Sequence, residues 1–204
     1  MKIEQLKSIY KIALSELEQG NFQKVSEIIQ TLRYRTTQND LTNMVRLLIS
    51  ARLSFKQISG SSELDYLLNQ ITFSDPYFQA ETSFVKGLYA FHRGLYVNGT
   101  KEFDCAREYY SLCEENEKSL LSEYNHFIGL INSDSLNHLQ TEEWLELLEN
   151  KAVKIESIKI MSLVLRQKSF HLEQCYKITE ALAAAQKGLP LLIGALDNQH
   201  NLAI

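Results

Sequence analysis

Apolar residues recur at steps of three and four along most of the chain, which is the spacing of one face of an α-helix. The first such stripe contains Leu6, Tyr10 and Leu17 and is followed by Gly20, and a second stripe begins at Val25. Glycine is favoured where a helix ends, and only a short turn separates the two stripes. The pattern therefore predicts a helical hairpin at the start of the chain.

The same pattern recurs to the end of the chain, and the turn signals that separate its copies are evenly spaced. They lie near Gly20, Gly60, Gly94, Asp134 and Cys175, at intervals of 40, 34, 40 and 41 residues. Such a period is typical of solenoids built from stacked pairs of helices. We therefore predict an all-α solenoid of about five helical hairpins. Within a single domain over 1–204, the predicted hairpins are 2–34, 40–75, 76–113, 117–151 and 155–188, with 189–204 as a capping helix or a truncated repeat.

The third hairpin carries the clearest motif, in the stretch FVKGLYAFHRGLYVNGTKEFDCAREYY. Gly87 takes the place of a small residue where two helices approach closely, and Gly94 takes the turn seven residues later. Tyr96, Phe103 and Ala106 then stand where an aromatic, a large apolar and a small residue are expected on the second helix. In this register the stretch resembles a tetratricopeptide repeat.

Other segments match the same repeat in the same register, namely at Ala13, Gly20, Phe22, Ile29, Leu32, Pro76 and Ala181. The chain departs from the repeat pattern in lacking its usual tryptophan, and Gly99 stands where an alanine normally opens the second helix. The register of the fourth hairpin, which contains Trp144, is not fixed by the motif. The resemblance implies a right-handed superhelix in which the first helix of each repeat lines a concave groove.

Composition and charge exclude several classes of partner. The chain is 45% hydrophobic and 23% charged and has a net charge of −4, which argues against a broad electrostatic surface for nucleic acid. The N-terminal segment lacks the apolar core of a signal peptide, and no later segment approaches the roughly 20 apolar residues that span a bilayer. We therefore expect a cytoplasmic protein that neither binds nucleic acid nor inserts into a membrane.

The glycines Gly87, Gly94 and Gly99 raise the alternative of a phosphate-binding loop. A Walker loop requires GxxxxGK[ST] and a dinucleotide site requires GxGxxG after a strand, and neither spacing is present. The sequence therefore favours glycines that serve helix packing and turns over a phosphate site.

The histidines and cysteines show no spacing typical of metal ligands or of a catalytic group. They are His92, His126, His138, His171 and His200, and Cys105, Cys113 and Cys175. No CxxC or HExxH motif occurs, and no nucleophile lies beside an identifiable base. We therefore predict no catalytic, cofactor or metal site, three free thiols, and a protein that is not an enzyme.

The first helices of the predicted hairpins supply the candidate partner-binding groove. Its residues are Lys7, Tyr10, Leu14, Arg46, Arg52, Phe55, Lys56, Phe84, Leu88, Phe91, His92, Arg166 and Phe170. This set is aromatic and locally basic, which suits a peptide or helix with apolar anchors and acidic flanks. Packing between helices is the alternative role for the aromatic residues.

Two functional classes fit this groove. The first is a scaffold or adaptor that binds a partner protein. The alternative is a ligand-sensing module, as in peptide-responsive bacterial regulators whose helical repeats close around a short peptide. The sequence leaves homo-oligomerisation open in both cases.

Overall fold

The computed structural model describes residues 2–33, 41–57 and 66–198, and within these ranges the regular secondary structure is helical. The helices are α1 (Ile3–Glu18), α2 (Phe22–Arg33), α3 (Leu41–Gln57), α4 (Pro76–His92), α5 (Tyr96–Leu112), α6 (Asn116–Asn132), α7 (His138–Lys154), α8 (Ile158–Gln174) and α9 (Ile178–Asn198). One further helical turn covers 66–69. The all-α prediction is confirmed, whereas the SGSS breaker at 59–62 lies outside the described residues.

The last helix is longer than the sequence predicted. We expected it to end near Gly188, but α9 continues through Gly188 and Pro190 to Asn198. Gly188 is buried against α8, where a β-carbon would lie 3.1 Å from Cβ of Leu165. This glycine therefore permits a close approach between α8 and α9 and does not end the helix.

The helices pack mainly against their neighbours along the chain. Helix α1 contacts α2 and α3, α6 contacts α5, α7 and α8, and α8 contacts α7 and α9. This is the packing expected when each added helix covers the preceding one or two. One large apolar core joins α1, α2, α3 and α4, and a second joins α6, α7 and α8.

Six of the described helices, α1 and α4 to α8, end in the same kind of turn. A residue with a left-handed backbone, with φ between 53° and 74°, follows the helix at Gly20, Gly94, Glu114, Asp134, Glu156 and Tyr176. The next amide donates to the carbonyl five residues earlier, as from Leu95 to Ala90 at 2.8 Å, which is the Schellman arrangement. From position 94 onward these residues follow at intervals of 20, 20, 22 and 20. The chain therefore repeats one helix and one turn about every 20 residues.

The glycine-rich stretch of the third hairpin is a packing feature. The ring of Phe91 on α4 lies 4.9 Å from that of Phe103 and 5.5 Å from that of Tyr96, measured between centroids. A β-carbon on Gly99 would overlap the Phe91 ring, and one on Gly129 would lie 2.6 Å from its Cζ. The departure from the repeat pattern at Gly99 thus provides room for an aromatic ring between α4, α5 and α6.

Candidate functional site

A buried carboxylate on α4 connects four helices. Glu81 is fully buried and accepts a hydrogen bond from Arg52 Nη2 at 2.6 Å and another from Lys118 Nζ at 2.5 Å. The Tyr10 hydroxyl donates to the same carboxylate at 2.9 Å. These partners come from α3, α6 and α1 respectively, and Tyr10 is 71 positions away from Glu81 in the sequence.

Glu81 is ionised at neutral pH. Its burial alone would raise the pKa of the carboxyl group, but the adjacent Arg52 and Lys118 outweigh that effect and hold the pKa at about 2. Burial raises the pKa of the Tyr10 hydroxyl, which therefore stays protonated and donates to Glu81. A carboxylate this acidic is a poor general base near neutral pH, so the network is suited to holding helices together.

Aromatic rings enclose the two cations of this network. Lys118 Nζ donates to the Tyr77 hydroxyl at 2.8 Å and lies 4.7 Å from the centroid of the same ring. The guanidinium carbon of Arg52 lies 5.0 Å from the centroid of Phe84. Cations over aromatic faces gain about 0.5–2 kcal/mol according to their desolvation.

Two further lysines of α1 are also matched by carboxylates. Lys7 Nζ lies 3.1 Å from a carboxylate oxygen of Asp75, and Lys11 Nζ lies 2.9 Å from one of Glu115. The basic residues that converge here are therefore neutralised within the chain. The locally basic surface that the sequence predicted for a partner is therefore smaller around α1, α3 and α6.

The structure divides the predicted groove residues into three groups. Tyr10 and Phe84 are buried; Lys7, Leu14, Arg46, Arg52, Leu88 and Phe91 are partly buried; and His92, Arg166 and Phe170 are exposed. The side chains of Phe55 and Lys56 lie outside the described residues. Of the partly buried residues, Arg46 bonds to Asn43 on its own helix, and Phe91 packs among the glycines described above.

The exposed face of α9 is apolar. Ile178, Leu182 and Leu189 are 60%, 58% and 57% exposed, and Ala185 between them is also exposed. On the adjacent face of the helix, Ala181, Ala184 and Gly188 are buried. Small residues thus seat α9 on α8, while its larger apolar residues face outward. We refer to Ile178, Leu182, Ala185 and Leu189 as the α9 stripe.

Three potential metal ligands converge where α7 begins and α8 ends. Cys175 Sγ lies 3.5 Å from His138 Nδ1 and 3.7 Å from His171 Nε2. His171 is buried, which lowers the pKa of its imidazole and favours the neutral form. Glu142 Oε1 lies 3.9 Å from His171 Nε2 and accepts a hydrogen bond from Lys177 at 2.7 Å.

The sequence analysis missed this cluster. His171 and Cys175 are four residues apart and therefore share one face of the chain at the end of α8, which was an available signal. His138 lies 33 residues before His171, and only the packing of α7 against α8 brings it to the same place. The central network was also missed in part: Tyr10 and Arg52 were among the predicted groove residues, whereas Glu81, Lys118 and Tyr77 were not.

Comparisons of the chain with protein-family models, curated proteins and solved structures found no match. Within the described parts of the chain, no helix combines the length and the apolar character needed to cross a bilayer.

Proposed function

We propose that this protein is a non-enzymatic helical-repeat scaffold and that the α9 stripe binds an amphipathic helix of a partner protein. The observation that carries the proposal is the exposure of large apolar side chains along one face of α9. Contiguous apolar surface of this kind marks interaction sites in monomeric proteins far more often than scattered apolar residues do.

The spacing of the α9 stripe favours a helical partner. Its members follow at steps of four, three and four residues, which is the spacing of the seam between two packed helices. A partner helix with apolar residues at the same steps would cover the α9 stripe, as amphipathic helices do in hydrophobic grooves.

The accessible part of the predicted groove also directs the proposal to the C-terminal helices. On α1, α3 and α6, the cations Lys7, Lys11, Arg52 and Lys118 are paired with carboxylates of the chain itself. The exposed members of the predicted groove include Arg166 and Phe170 on α8, the helix that pairs with α9. The proposed binding surface therefore lies on the helix that packs against α8, which carries two of the three exposed residues of the predicted groove.

A charge placed in the α9 stripe tests this function. The variant Leu182→Glu/Leu189→Glu should lose a partner that the wild-type chain retains, because two buried carboxylates would oppose the apolar contact. The matched control is Leu112→Glu, which changes a 73% exposed leucine at the end of α5. A photo-crosslinking residue at position 182 should identify the partner, and titration of that purified partner against all three chains gives the affinities.

The titration has two decisive outcomes. A loss of about 100-fold or more in affinity in the double variant alone, equivalent to about 2.7 kcal/mol, supports the proposal. Equal affinity of the double variant and the wild type contradicts it. Sedimentation of the wild-type chain alone separates a third case, because a dimer abolished by the double variant would make a second copy of this chain the occupant of the stripe.

A further inference from the structure

The convergence of His138, His171 and Cys175 gives this part of the fold a donor set for a transition metal. The three donor atoms all lie within 4.8 Å of one another, and both distances from the sulfur are shorter than that. We propose that these three side chains bind Zn²⁺, a site independent of the scaffold function.

The distances match those of a tetrahedral zinc site. With Zn–N of about 2.0–2.1 Å and Zn–S of about 2.3 Å, ligand atoms in a tetrahedron are about 3.3–3.6 Å apart. The separations of Cys175 Sγ from His138 Nδ1 and His171 Nε2 are 3.5 and 3.7 Å. The third pair, the two histidine nitrogens, is no more than 4.8 Å apart, and the side chain of His138 is exposed.

The backbone around the site is well defined. His138 is the first residue of α7, which begins with a capping box between Asn137 and Gln140. His171 lies in the last turn of α8, and Cys175 is the C-cap of that helix. Because α7 packs directly against α8, the three donors are placed by regular secondary structure and not by a long loop.

The chemistry of the donors selects the metal. Thiolate and imidazole favour Zn²⁺ over Mg²⁺ and Ca²⁺, which prefer oxygen ligands. Binding replaces the thiol proton of Cys175, which is released to solvent, so affinity rises with pH. Water or the nearby Glu142 carboxylate, 3.9 Å from His171 Nε2, is available for the fourth position.

The test uses the tag-free full chain under reducing conditions, with Zn²⁺ as the probe. Calorimetry should show one Zn²⁺ per chain, with no comparable binding of Mg²⁺. The variants His138→Gln and Cys175→Ser change accessible ligands, and each should weaken binding by more than about 10–100-fold, the loss found when residues that merely support metal ligands are changed. The control Cys105→Ser/Cys113→Ser removes the other two thiols and should bind Zn²⁺ as the wild type does.

Cobalt gives a second readout that does not depend on affinity. A Co²⁺ complex of the wild type and of the double-serine control should show a near-ultraviolet sulfur-to-cobalt band, and Cys175→Ser should lack it. Saturating Zn²⁺, at about a hundred times the dissociation constant, should raise the Tm of the wild type by about 5–10 °C. Absence of stoichiometric binding in the wild type, or unchanged affinity in both ligand variants with folding verified by circular dichroism, overturns the proposal.

Discussion

Two carboxylates in this protein each accept hydrogen bonds from two cations, but in very different surroundings. Glu81, between Arg52 and Lys118, is fully buried. Glu149 on α7, between Lys168 of α8 and Lys187 of α9, has a side chain that is 15% exposed, and its lysines are 35% and 59% exposed. Burial raises the pKa of each carboxyl group, and the two neighbouring cations lower it. In both groups the effect of the cations is the larger one.

The comparison shows how burial determines what an ion pair does. A buried charge that loses its partner cannot be solvated by water, whereas exposed lysines recover solvation when their partner is removed. The Glu81 network therefore fixes α1, α3, α4 and α6 relative to one another. The ion pairs of Glu149 contribute much less to the stability of the fold. Helix α9 is held to α8 mainly by small apolar residues.

The largest effect is expected from Glu81→Gln. Removal of this charge leaves Arg52 and Lys118 without their carboxylate, and we expect a loss of about 3–5 kcal/mol in the free energy of unfolding. The matched change Glu149→Gln should cost about 1 kcal/mol or less. Urea denaturation followed by circular dichroism measures both, and equal losses in the two variants would show that burial does not separate the two sites.

The low pKa of Glu81 also predicts how the stability of the protein changes with pH in the acid range. The pKa of Glu81 is about 2 in the folded chain against an ordinary value of 4.5, so below pH 4.5 the unfolded state binds more protons. The corresponding stability is fully present above that value, decreases as the pH falls and is lost near pH 2, and it amounts to about 3 kcal/mol. The denaturation free energy of Glu81→Gln should decrease less over this range than that of the wild type. If the free energies of unfolding of the two chains decreased equally as the pH falls, the assignment of the low pKa to Glu81 would be contradicted.

The glycine contacts of the third hairpin provide a test that does not involve charge. In Gly99→Ala the added methyl group overlaps the ring of Phe91, which is confined by Phe103 and Tyr96. We expect a loss of about 1–3 kcal/mol in the free energy of unfolding, as for other overpacked cores. Asn98→Ala changes the preceding, exposed residue and is the control. If the free energy of unfolding of Gly99→Ala equalled that of the wild type, the Phe91 ring would have to move aside readily.

The repeated turn predicts a stabilising substitution. Glu156 has a φ of 55°, a backbone that is strained for residues with a β-carbon and relaxed for glycine. Glu156→Gly should therefore raise the free energy of unfolding by about 0.5–1 kcal/mol. Glu143→Gly, in the interior of α7, should lower it by a similar amount because glycine is a poor helix former. Destabilisation by both changes would contradict the role assigned to the turn.

The fold class was predictable because its signals are local. Helical periodicity and the turns at Gly20, Gly94 and Asp134 agree with the structure, and the turn assigned to Cys175 is centred one residue later. The turns at Glu114 and Glu156 have the same left-handed backbone without a glycine, so no glycine marked them in the sequence. The expected end of α9 at Gly188 was wrong because glycine also permits close helix packing.

The sites were less predictable because they depend on contacts between distant residues. Glu81 lies in an otherwise largely apolar face of α4, and an acidic residue at such a position signals a buried pair, but its cations are 29 and 37 residues away. Tyr10 and Phe84 were predicted to line the groove, with packing between helices as the alternative for the aromatic residues, and the sequence could not show that the surrounding helices meet and bury both side chains. His138 lies beside His171 and Cys175 only because α7 packs on α8, which the sequence does not show.

The smallest effect on stability is expected where the proposed function places the largest effect on binding. In Leu182→Glu/Leu189→Glu, both altered side chains are already more than half exposed, so the isolated chain loses little buried apolar surface. The free energy of unfolding should change by no more than about 0.5 kcal/mol per site. Urea denaturation of the isolated chain measures this change. A loss above about 2 kcal/mol would show that the α9 stripe is covered within the chain itself. Unchanged stability together with lost partner binding would show that the surface of α9 serves binding, whereas the Glu81 network serves stability.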